Sequence, residues 1–255
     1  MSQEELQEVK NVLKGVLNPD NIIRNEAEKK LSVLRNTPSA FCYYLSKVLS
    51  DVDSEKGMKT LASVLLRKLL AISEKEMVSP TWKSIDENFK NSIKENILNA
   101  VINEVDKSQK LKFCDTMATV AENVFDSKEG WVDLFNFIYQ GISLPLEPAN
   151  VSNIETVLFL ISQIFGLVYE EMITKLDAFI STFEGFFKYE DFGLKTRTAQ
   201  VIGEILSVVR KKDSKKFKHF IPIILEHTYK CLTTPNKESY VSIIIFNIIN
   251  FLKLA

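Results

Sequence analysis

The chain of 255 residues repeats itself at the level of pattern. Amphipathic helical segments come in pairs, and the second segments of the pairs begin near 20, 57, 108, 150, 192 and 236, spacings of 37, 51, 42, 42 and 44 residues. A period of roughly 40–47 residues with two helices per unit is the signature of HEAT or armadillo repeats. Two amphipathic helices cannot bury their apolar faces alone, so such units stack on one another into a superhelix. The segments read as helices over 2–17 and 20–35, then one opened by "NTPSAF" that carries Phe41, Leu45, Val48 and Leu49. They continue over 57–72, 84–105, 108–125, 131–142, 150–168, 170–187, 192–210, 215–232 and 238–254, twelve in all with no convincing strand. Gly and Pro number only 8 and 7, about half their usual share, which suits long helices joined by short turns. The expected fold is all-α, a right-handed α-α superhelix of six HEAT repeats over 1–255.

A second periodicity runs through the turns. An acid or amide between paired helices is followed six residues later by a cation: Asn18/Arg24, Asp53/Lys59 and Asp106/Lys112, with Asp191/Lys195 a shorter variant. Pairs of this kind form ladders of charge-assisted hydrogen bonds between successive turns.

Composition narrows the function. The net charge of −1 supplies no global field for nucleic acid or an anionic membrane. Three cysteines, Cys42, Cys114 and Cys231, are far apart and odd in number, which argues against a disulfide framework or zinc site and for a reducing compartment. The polar, acidic, helical N-terminus is not a signal peptide. The longest apolar runs, "VLFLISQIFGLV" and "VSIIIFNIINFL", are too short to span a bilayer. No GxGxxG, P-loop, GxSxG, HExxH or CxxC pattern occurs. The two histidines, His219 and His227, stand two helical turns apart, too far to share a metal. The residues offer no cofactor site, and an enzyme working in a cleft between repeats is disfavoured.

Particular residues carry a family resemblance. "IRNEAEKKLSVLRNTPSAFCYYL", with Ala27-Glu28, Leu31, Pro38 and Phe41, resembles the N-terminal signature of the importin-β (karyopherin-β) nuclear transport receptors. "LASVLLRKLL", Trp82 and "SIKENILNAVINEV" are similar to the second and third repeats of those receptors, and "LKFCDTMATVAENVF" and "GWVDLFNFI" continue in register. "KTRTAQVIGEIL" through "KFKHFIPIIL" resembles the fifth and sixth repeats of the branch that imports ribosomal proteins and histones. The resemblance implies a receptor that binds the GTPase Ran in its GTP form, FG-repeat nucleoporins and protein cargo, ribosomal proteins or histones in that branch. It moves between cytoplasm and nucleus through the pore of the nuclear envelope, without contacting nucleic acid or inserting into membrane. The final "IINFLKLA" reads as an apolar helix without a cap, so the chain is expected to be the Ran-binding end of a longer receptor.

Within the family picture, second helices line the concave side and meet Ran. In the fourth helix Lys59, Ser63 and Arg67 form a polar stripe at four-residue steps. The third unit repeats it with Lys112, Asp115, Thr119 and Glu122, and the first offers Asn25, Lys29 and Ser32. The competing reading is a solvated stripe, or a Lys59 consumed by the turn ladder. First helices line the convex side, where Leu176, Ile180, Phe183, Phe217, Phe220 and Ile224 are candidate walls of a slot for nucleoporin phenylalanines, against the alternative that they are core. The run "VRKKDSKKFK" at 209–218 holds six cations in ten residues; it reads first as a solvated turn that could also touch acidic partners. The rival for the whole chain is a HEAT scaffold of another class, a phosphatase subunit or vesicle-coat adaptor without Ran binding.

Overall fold

A computed structural model describes residues 3–73 and 76–236; the expected helix 238–254 and the run "VSIIIFNIINFL" lie outside them. Every regular element among the described residues is helical. Contacts divide the chain into two compact units, Met1–Trp131 and Val132–Ala255, each of which follows the same construction.

The first unit contains α1 (Gln3–Val16), α2 (Asn21–Leu34), α3 (Pro38–Ser50), α4 (Lys56–Leu70), the short α5 (Pro80–Ser84), α6 (Glu87–Asn103) and α7 (Lys107–Asp126). They pack as the pairs α1/α2, α3/α4 and α6/α7. Successive pairs stack through α1 on α3, α3 on α6 and α4 on α7. Leu13, Leu45, Leu66, Ile97 and Met117 are fully buried between them. Sequence sets the boundaries: Asp20, Asp86 and Asp106 accept backbone N–H groups of the first turns of α2, α6 and α7, and Pro38 and Pro80 open α3 and α5 where a missing N–H costs nothing.

The second unit contains α8 (Val132–Ile142), α9 (Pro148–Ile164), α10 (Tyr169–Met172), α11 (Leu176–Lys188), α12 (Phe192–Val208), α13 (Lys211–Ser214) and α14 (Phe220–Thr233). Single 3₁₀ turns at Ile173–Lys175 and Lys215–Phe217 lead into α11 and α14. Here α8/α9 and α11/α12 are the pairs, α9 packs on α12 and α12 on α14. Second helices of pairs start at Asn21, Lys56, Lys107, Pro148 and Phe192, 35, 51, 41 and 44 residues apart. The period and the pairing are those of HEAT repeats, and the fold class is the α-α superhelix.

Three expected helices begin differently. The segment 84–105 is helical only from α6, with α5 a separate turn before it, because Asp86, in extended conformation, turns its side chain to the Phe89 N–H at 3.0 Å and starts a new helix. Trp82 of α5 is fully buried, and its Nε1 reaches Glu129 at 3.3 Å. Segments 170–187 and 215–232 likewise open with one-turn pieces before α11 and α14.

The turn ladder exists with different rungs. Lys10 bonds Asp51 at 2.6 Å, Lys14 approaches Glu55 at 3.5 Å, Lys56 bonds Asp106 at 2.7 Å and Lys59 approaches Glu104 at 3.9 Å. Each rung runs from a helix of one pair to the acidic turn of the next. The expected partners are occupied otherwise. Asn18 accepts from the Asp20 N–H, Arg24 reaches Asn21, and Asp191 caps α12 while Lys195 pairs with Glu190 at 3.2 Å. Asp106 takes Lys56 and Glu104 draws Lys59 from the neighbouring pair, while Asn18, Arg24 and Lys195 are held by groups close in sequence.

Candidate partner-binding surface

The second helices of the first unit carry the residues marked by sequence. Thr60 Oγ1 donates to Gln109 Oε1 at 3.0 Å, Ser63 Oγ lies 2.7 Å from Thr116 Oγ1, and Asn123 Nδ2 donates to the Leu70 carbonyl at 2.9 Å. The partners rise together along both chains, so α4 and α7 run parallel with α7 about 50 residues ahead.

That register corrects the stripe Lys59–Ser63–Arg67. Ser63 is fully buried in the α4–α7 contact and cannot meet a partner. Lys59 is committed to Glu104, and Arg67 Nη1 sits 3.7 Å from Asp115 Oδ2 with both side chains about a third exposed. The Arg67 Nε is buried without an acceptor. Hydroxyl and charged groups at four-residue steps fix the offset between successive second helices, because an unpaired buried polar group is costly in any other register. Round the helix from them Gly57 and Lys68 are exposed and Leu61 and Val64 are half-buried. Their signal was present as the same i, i+4, i+7, i+11 spacing, but apolar Leu61 and Val64 disguised it as core.

On α7 the marked residues Lys112, Asp115, Thr119 and Glu122 are all half-exposed along one line. Burial raises the pKa of Asp115, an effect the nearby Arg67 charge only partly offsets. Burial, with Asp126 close by, also raises that of Glu122. On α2, Asn25, Lys29 and Ser32 are exposed, flanked by Ile22 at 72% and Val33 at 65% exposure. The accessible row is thus α2 with amide, lysine and hydroxyl, α4 with Leu61, Val64 and Lys68, and α7 with mixed charge. A mixed row of this kind offers polar orientation around aliphatic contact, the composition of a protein-binding surface.

A family model described as the Importin-beta N-terminal domain matches residues 27–103. A second, described as IPO5-like, TPR repeats, matches residues 105–250. The chain belongs to the importin-β family. Tetratricopeptide units recur every 34 residues or so, whereas this importin-β chain spaces most of its pairs by more than 40. Solved structures of Kap121p superpose over the whole chain with a TM-score of 0.77 at 19% identity for the crystal structure of Kap121p itself. The structure bound to RanGTP gives 0.75 at 19% and that bound to Nup53p 0.77 at 18%. In each case the chain spans 22–23% of the Kap121p chain.

The candidate nucleoporin slot in this importin-β chain is corrected. Leu176, Phe183, Phe217, Phe220 and Ile224 are at most 3% exposed, and only Ile180 is half-exposed. Phe183 packs against Phe179 and Phe186, and Phe220 against Phe187 and Phe217. Aromatic rings at helical spacing here fill the interior of the second unit, leaving no open wall.

Other chemistry-bearing side chains are structural. His219 approaches Glu184 at 3.0 Å, and His227 is buried against Thr196 and Cys231. Burial pushes the Cys42 and Cys114 thiols up to about 12, so neither is a thiolate at neutral pH. Among the described residues no group of three His, Cys, Asp or Glu could hold a metal ion, and no helix is long and apolar enough to cross a membrane.

Proposed function

We propose that this chain is the Ran-binding segment of an importin-β-type nuclear transport receptor, meeting Ran-GTP through the accessible row of α2, α4 and α7. The supporting observation is that row: Asn25, Lys29 and Ser32 on α2 and Lys68 on α4 are exposed, and Lys112, Asp115, Thr119 and Glu122 on α7 are half-buried along one line. Arg67 contributes by holding Asp115 in place across the helix contact. Ser63 and Lys59 set helix register instead of touching the partner. The likeness to Kap121p, crystallised with RanGTP, supports the partner's identity.

The mechanism is non-enzymatic. Cargo and Ran-GTP compete for one receptor, so each lowers the other's affinity by the same factor through linkage. In the nucleus Ran-GTP wins and cargo leaves. FG nucleoporins belong to the same reading as partners of the receptor, without a slot on α11 and α14. Ribosomal proteins and histones are the cargo class that the resemblance of 195–225 favours.

Titration of the 255-residue chain with Ran locked in the GTP or GDP form tests the proposal. The GTP form is expected to bind at least about tenfold tighter, and Lys68→Glu to change both affinity and salt dependence. Equal affinity of the two forms, or no binding of either, favours a HEAT scaffold of another class. Unchanged binding by the Lys68 variant removes α4 from the surface.

A further inference from the structure

We infer that the segment Arg210–Lys218 of the second unit is a docking surface for an acidic stretch of protein that carries an aliphatic residue. Its side chains Arg210, Lys211, Lys212, Lys215 and Lys218 are all exposed, and among the described residues none of them forms an ion pair. Lys10, Lys56 and Lys90, by contrast, each have a carboxylate within 2.7 Å. Even in this segment Lys216 is held by Asp177 at 2.6 Å. Unmatched cations packed at neighbouring positions repel one another, so the cluster is relieved when an anionic partner arrives.

The segment is also fixed in place. Phe217 is fully buried against Phe220, Ser214 is buried with its hydroxyl on the Lys211 carbonyl at 2.8 Å, and the Lys216–Asp177 bond ties it to α11. The cations therefore stand on an ordered turn, and binding need not order the backbone. Val208, 41% exposed, adjoins the cluster and lies over Gly166, next to Leu167 at 36% exposure. This aliphatic edge beside the cations is what selects a protein segment. The only aromatic of the segment is the buried Phe217, so bases of single-stranded nucleic acid find no stacking surface.

Fluorescence anisotropy of the 255-residue chain at physiological salt tests this with a labelled Asp/Glu-rich peptide containing one leucine. Single-stranded RNA of equal charge and phosphatidylserine vesicles run beside it. The peptide is expected to bind tightest. Combined Lys211→Glu, Lys212→Glu and Lys215→Glu is expected to weaken it at least about tenfold with an unchanged thermal melt, and Val208→Ser about threefold. If the combined variant melts lower, the single reversals at Lys211 and Lys215 carry the comparison. No peptide binding, binding indifferent to these reversals, or tighter binding of RNA or vesicles overturns the inference.

Discussion

Asn123 and His227 show how single polar residues hold a helix stack together. Asn123 is fully buried. Its amide donates to the carbonyls of Leu70 and Thr119 at 2.9 Å each and accepts from the Ser79 N–H at 2.9 Å. One side chain of α7 thus closes the end of α4 and the entry to α5. Asn123→Ala strands the Leu70 carbonyl and the Ser79 N–H inside the protein, and a loss of about 2–4 kcal/mol is expected in denaturant unfolding. His227 works by staying neutral. Thr196 gives its proton to the Phe192 carbonyl at 2.8 Å, so the His227 Nε2–H donates to the Thr196 oxygen at 3.0 Å. Burial, with Lys195 and Lys230 nearby, lowers its pKa from 6.5 to about 4. A neutral form favoured by folding gives stability that is full above pH 6.5 and is lost as pH falls toward 4. Between pH 7.5 and 5 the second unit is expected to lose about 1–2 kcal/mol, allowing for screening. The His227→Gln variant should be flat across that window, and an equal slope in both proteins would place the titration elsewhere.

Helices as elements meet at positions without side-chain bulk. A Cβ built on Gly141 of α8 would come within 2.4 Å of Val157 Cγ2 on α9. The pair is closed at that point because residue 141 has no side chain. Gly141→Ala is expected to cost about 1–3 kcal/mol by overpacking. Val157→Ala alone also destabilises by leaving a cavity, but the double variant should lose clearly less than the sum, since the new methyl fills the vacated space. Additive losses in thermal melts would show that the two positions are not in contact. At this scale the sequence was legible where periodicity governs. Eleven of the expected helices have counterparts among the described residues, and the pairing follows the 40-residue period. It misled where one residue type serves two purposes. Ser63 looked like a surface hydroxyl because serine is commonly exposed, yet it is the register pin between α4 and α7. Leu61 and Val64 are aliphatic, yet both keep part of their surface in solvent. Which side of a nearly all-apolar helix faces a neighbour depends on the next repeat, and no single helix carries that information. The phenylalanines of α11 and α14 failed as a slot for the converse reason: helical spacing specifies a face without saying what covers it.

Within each compact unit the helices pack on their pair partners, and successive pairs meet through a few nearest-neighbour contacts. In such an architecture stability is a sum of local terms, and a local change need not propagate. Native-state hydrogen exchange reads this directly. Asn123→Ala should speed exchange in α4, α5 and α7, while α12 and α14, further along the chain in the second unit, keep their protection. Lowering the pH from 7.5 to 5 should do the reverse, loosening α12 and α14 around His227 and sparing α4 and α7. Added Ran-GTP should then protect α2, α4 and α7 first, because those helices carry the proposed contact row. The three maps together separate local coupling from global unfolding. If protonation of His227 also stripped protection from α4 and α7, the two compact units would be unfolding as one cooperative block. The proposed exchange of cargo for Ran would then act on both units at once, not on independent repeats.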